Sequence, residues 1–129
     1  MSIAILALIF SLLMIIITKI PLAYAMNKLE GGYDNRYPRE QHALLSGFGK
    51  RALATHQNSL EAFPMFAAGL LTALWAGANI ETIEYLSLTF VAARIIYSLC
   101  YWMDIHTLRS LSWTVGVGAC VGLMYLALP

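Results

Sequence analysis

The chain alternates long apolar runs with short polar interruptions, and that alternation predicts four helices. The run from residue 3 to about 28 is apolar almost throughout. At about 1.5 Å per residue it is long enough to cross a hydrocarbon core ~30 Å thick. Residues 29–41, LEGGYDNRYPREQ, form the one clearly polar connection, where Gly31-Gly32 and Pro38 break helix. A second helix is predicted over about 45–78, its start falling between His42 and Arg51. Pro64 removes the bond to the carbonyl of Leu60 and predicts a kink there. After a short link come a third helix over about 83–104 and a fourth over about 108–128. Gly69, Ala73 and Gly77 on the second, and Gly118 and Gly122 on the fourth, form small-residue surfaces suited to close helix packing.

Composition turns four helices into a membrane protein. Of 129 residues 60% are hydrophobic and only 12% charged, far from the usual globular balance, so the expected fold is one all-α integral membrane domain, a four-transmembrane-helix up-down bundle. The formal charge of +1 and the absence of a basic aromatic stripe give no reason to propose a nucleic-acid partner. Lys28, Arg36, Arg39, Lys50 and Arg51 crowd the first connection and its flanks, Arg109 follows the third, and the second holds no Lys or Arg. The positive-inside rule then puts the first and third connections in the cytoplasm and both termini on the opposite side. Ala23-Tyr24-Ala25 imitates a signal-peptidase site, but no basic segment precedes the run, and cleavage is not expected. Cys100 and Cys120 lie inside apolar runs without metal-ligand spacing and are expected to be packing residues; no metal site is predicted.

Candidate chemistry lies on the second and third helices. Arg51, Asn58 and Glu61 are offset by seven and ten residues, within roughly 80° of one another on a helix. Arg94, Tyr97, Tyr101 and Asp104 repeat that pattern on the next, antiparallel helix. With Arg51 level with Asp104, Asn58 should meet Tyr97, and Glu61 should meet Arg94 about 15 Å from the edge. An ionised side chain at that depth needs a partner. The pairing would fix helix register or build a site; Tyr97 and Tyr101 would either join it or sit as interfacial aromatics. Trp102 and Trp113 suit the interfacial role. His56 points away from the polar face, and His42 and His106 fall in connections.

These residues resemble the MAPEG superfamily, the membrane-associated proteins of eicosanoid and glutathione metabolism. The resemblance rests on Arg51, Asn58, Glu61 and Pro64, then Arg94, Tyr97 and Tyr101, then Arg109-Ser110; the segment from Tyr33 through Phe66 is similar to bacterial members. It implies a homotrimer in a bacterial inner membrane. Glutathione would be held between subunits by Arg51, Asn58, Glu61, Arg94, Tyr97 and Tyr101, with Lys28 nearby in looser register. Arg109 would stabilise the thiolate, and a lipophilic electrophile would arrive from the bilayer. The physical logic agrees, since lowering a thiol pKa needs nearby positive charge. Two positions depart from the pattern. Ala54 stands where glutathione-using members carry a carboxylate-binding arginine, a loss worth on the order of 1.5–3 kcal/mol. Gln57 stands where prostaglandin E synthases carry another. The resemblance therefore implies a glutathione transferase or peroxidase-like enzyme, with a non-catalytic scaffold for a lipid or membrane protein as the alternative, and use of a different thiol or anion as a third.

Overall fold

The computed structural model describes residues 1–129. It contains α1 (Ser2–Asn27), a short 3-10 helix (Glu40–Leu44), α2 (Phe48–Trp75), α3 (Ile80–Trp102) and α4 (His106–Tyr125), with no strand. The all-helical expectation is met, and the boundaries shift where capping chemistry sets them. α2 stops early because Gly77 takes φ +68°, letting Gly77 N–H donate to Leu74 O at 3.1 Å and Ala78 N–H to Ala73 O at 3.1 Å. That is a left-handed helix stop, so Gly77 belongs to the cap and not to a packing ridge. α3 begins three residues sooner than the apolar run suggests, because Asn79 caps it by accepting from Thr82 N–H at 3.0 Å. It ends on the same kind of stop with Asp104 at φ 63°, Ile105 N–H donating to Cys100 O at 2.8 Å. Pro21 and Pro64 are carried inside α1 and α2.

The helices run up and down. The starts of α1 and α3 and the ends of α2 and α4 share one core, in which Ala4, Leu70, Ile83 and Leu123 are at most 1% exposed. Phe66 and Phe90 stack at its centre, ring centroids 4.2 Å apart. α1 packs on α2 and α3, and α4 packs on the same two from the other side. α2 and α3 thus form the inner pair, which is why the polar residues they carry meet. Small residues make the α2–α4 contact close: a Cβ on Gly69 would lie 2.9 Å from Cys120 O. Gly118, by contrast, faces open space, while Gly116 and Gly122 turn toward α3.

The outer surface is apolar, with Leu6, Ile9, Leu12, Ile16 and Ile20 of α1 all exposed. α1 and α3 are long and apolar enough to cross a membrane. The connection between α1 and α2 is folded rather than a free solvated loop. Gln41, 8% exposed, donates through Nε2 to Gly32 O at 2.7 Å and accepts from Asp34 N–H at 2.9 Å. Asp34 in turn accepts from the N–H groups of Arg36 and Tyr37.

Candidate functional site

The buried charge at the centre of the site is Arg94, only 5% exposed in the middle of α3. Its Nη1 donates to Asn58 Oδ1 at 2.8 Å, and Asn58 Nδ2 donates to Glu61 Oε2 at 3.0 Å. The direct Glu61–Arg94 ion pair expected from helix rise is therefore replaced by a relay through Asn58, and Asn58 meets Arg94 instead of Tyr97. The backbones are close to the level inferred, since Arg51 Nη1 reaches Asp104 Oδ2 at 3.9 Å. Side-chain length makes the difference. The arginine extends along the helix pair and takes the amide carbonyl one turn nearer the edge, while Glu61 stays exposed on the outer face of α2.

From Arg94 a column of stacked groups runs toward the end that carries the 28–47 connection. The Arg94 guanidinium carbon lies 4.3 Å from the Tyr97 ring centroid. Tyr97, 6% exposed, meets Tyr101 edge-on with centroids 5.5 Å apart and planes at 78°. Arg109, at the start of α4, lies over the Tyr101 ring at 4.4 Å. Each contact sets a cation against a ring face or an edge against a face, arrangements favoured by the aromatic quadrupole. Arg109 makes no ion pair within the chain, since the only bridges are Arg51–Asp104 and one from the Met1 amino group to Glu84. Asn58, Glu61, Arg94, Tyr97, Tyr101 and Arg109 thus form one contiguous set, with the Arg51–Asp104 pair at the edge.

Lys28 is not brought into that set. It lies over the Tyr24 ring at 4.4 Å, in a cleft of about 310 Å³ shared with Leu45, Ser46 and Phe48. His56 turns to α1, where its Nδ1 pairs with Thr18 Oγ1 at 3.3 Å. Ala54 is half-buried, and Gln57 is exposed one turn from Glu61. Cys100 and Cys120 are buried and free. Two residues that hydropathy concealed are Ser11 and Ser59, whose side chains line a small cavity beside Arg94. Isolated serines in apolar runs pass for helix packing, and only the helix arrangement shows that both border the same cavity as Arg94.

These features define an all-α, membrane-associated bundle with a buried polar network between its inner helices. The model of the MAPEG family matches residues 3–129, and the chain belongs to that family. No curated protein and no solved structure matches it.

Proposed function

We propose that this chain is a membrane-embedded glutathione transferase or peroxidase-like enzyme acting on a lipophilic electrophile. The observation that carries the proposal is the column from Arg94 through Tyr97 and Tyr101 to Arg109. It ends on a guanidinium held by an aromatic face and free of any carboxylate in the chain. A cation so placed can stabilise a thiolate, which then attacks the electrophile as the carbon–sulfur bond forms and the leaving group departs. Asn58, Glu61, Arg94, Tyr97 and Tyr101 would shape the pocket, with Arg51 at its edge.

Homotrimer assembly completes this picture. Glu61 and Gln57 are exposed on α2 amid Leu60, Pro64 and Met65. A carboxylate at membrane depth calls for a cover that one chain does not supply. A neighbouring subunit would provide it, and Lys28, which lines a separate cleft in its own chain, would then face a neighbour's site. All four helices would cross the bilayer of a bacterial inner membrane, with both termini outside the cytoplasm. Ala54 supports a second proposal, a non-catalytic scaffold for a lipid or membrane protein, because it removes an arginine from the glutathione site.

Conjugation of glutathione to a chlorinated nitrobenzene, measured with purified protein, separates the two. Turnover that disappears in Arg109→Ala while glutathione still binds supports the enzyme. Neither turnover nor binding at millimolar glutathione overturns it and leaves the scaffold.

A further inference from the structure

Five buried side-chain polar atoms have no hydrogen-bond partner in the protein: His42 Nε2, Arg51 Nε, Arg94 Nη2, Ser98 Oγ and Trp102 Nε1. Four of them belong to one seam. Arg94, Ser98 and Trp102 are four residues apart on α3, so they form a stripe that drifts about 40° per step and extends about 12 Å. Arg51 stands at the far end of that stripe, because it bridges Asp104, two residues beyond Trp102. Arg94 is 5% and Ser98 1% exposed, so bulk solvent does not serve the deep end.

All four atoms offer protons, and neither guanidinium nor indole nitrogens accept one. A line of unmet donors inside an apolar bundle is costly, and the occupant that relieves it must carry acceptors. Space exists at the deep end. A cavity of about 10 Å³ touches Arg94, Ser11, Ser59 and Met14, the room that one water needs. Ser11 Oγ donates to Leu8 O at 2.9 Å and Ser59 Oγ to Thr55 O at 3.0 Å. Their oxygen lone pairs can then accept from a molecule held by the guanidinium. Size excludes anything larger than water there.

We propose that Arg94, Ser98, Trp102 and Arg51 line an internal file of waters that runs from the Ser11–Ser59 cavity to the end of the bundle carrying the 28–47 connection. The file hydrates one nitrogen of Arg94 while Asn58 holds the other, so the guanidinium keeps its charge deep in the bundle. Arg94 and Arg51 also border the proposed glutathione pocket, but the file is tested without glutathione.

Radiolytic hydroxyl-radical footprinting of the full chain in bilayer nanodiscs tests it, since waters held inside a protein label the side chains they touch. Met14 lines the cavity at 7% exposure, and Met26, at 0%, packs among Leu22, Leu45 and Ala52. Met14 should oxidise at least fivefold faster than Met26. Ser98→Val, which removes one of the unpartnered hydroxyls that line the file, should slow Trp102 oxidation at least threefold. Equal rates at the two methionines overturn the proposal without any variant. Trp102 labelling unchanged in a folded Ser98→Val protein, or labelling suppressed when chloride replaces gluconate, overturns it too, the last by assigning the donors to an anion.

Discussion

Replacing Asn58 with leucine keeps the approximate volume and removes both links of the relay. The bond from Arg94 Nη1 to Asn58 Oδ1, 2.8 Å long, is charge-assisted, and its donor belongs to a residue 5% exposed. The guanidinium nitrogen freed by the substitution has no bulk water to turn to. A hydrogen bond to a charged group is worth about 1.5–3 kcal/mol, and the penalty falls at the upper end when a buried partner is orphaned. The second link, Asn58 Nδ2 to Glu61 at 3.0 Å, lies at an exposed carboxylate and adds little. Asn58→Leu should therefore cost about 2–3 kcal/mol. In a chain of this size that corresponds to a fall in Tm of roughly 6–12 °C. Thermal unfolding in micelles at a fixed scan rate reads the shift, the fixed rate guarding against irreversible unfolding. Glu61→Gln, which keeps an acceptor for Asn58, should move Tm by less than about 2 °C. Adding Arg94→Met to Asn58→Leu should recover part of the loss, because replacing both partners leaves no orphan. An Asn58→Leu protein within about 2 °C of the parent, or an equal loss from Glu61→Gln, would refute the relay.

Gly69→Ala should cost about 1–3 kcal/mol, because its Cβ would meet the Cys120 carbonyl oxygen at 2.9 Å and Leu123 Cβ at 3.2 Å, whereas Gly118→Ala, into open space, should not destabilise; chemical denaturation of the two variants checks the contrast. Asp104→Asn should change Tm by less than about 2 °C, since the Asp104 side chain is 70% exposed, its bridge to Arg51 is long at 3.9 Å, and asparagine tolerates the left-handed backbone equally well. His42, in the first connection, has its pKa lowered from 6.5 by burial, with Lys19 and Arg39 adding to the effect. The unfolded chain then takes up the proton first, so the stability tied to neutral His42 is present above pH 6.5 and is lost as pH falls through the lower folded value. Hydrogen-exchange protection factors of residues 28–47, taken against the intrinsic rate at each pH, should fall on acidification through that window, and His42→Gln should flatten the dependence.

Helix number and the polar faces of α2 and α3 were legible because both depend on periodicity. A 3.6-residue repeat places Arg51, Asn58 and Glu61 on one side whatever they touch, and antiparallel connection brings that side to Arg94 and Tyr97. Helix ends were less legible. Asn79 and Gly77 act through caps that override an apolar count, extending α3 backward and stopping α2 at Trp75. The first connection was read from its breakers alone, and Gln41 shows why that fell short. Both ends of one amide side chain bond backbone atoms seven and nine residues away, and no periodicity encodes such a pin.

The register of the ladder shows where counting along the axis stops being sufficient. Rise per residue places α-carbons, and the Arg51–Asp104 bridge agrees with that placement. Charged groups lie on stems several ångströms long, so a guanidinium can choose between partners a full turn apart. Two effects favour Asn58. Its amide accepts from Arg94 and donates to Glu61 at once, serving both ions with one neutral side chain. A direct pair would also draw Glu61 inward, where desolvating a second charge adds several kcal/mol. The relay keeps the carboxylate on the outer face of α2 and the guanidinium over Tyr97. The two charges therefore serve different surfaces, one facing whatever covers α2 and the other facing the aromatic column that ends on Arg109.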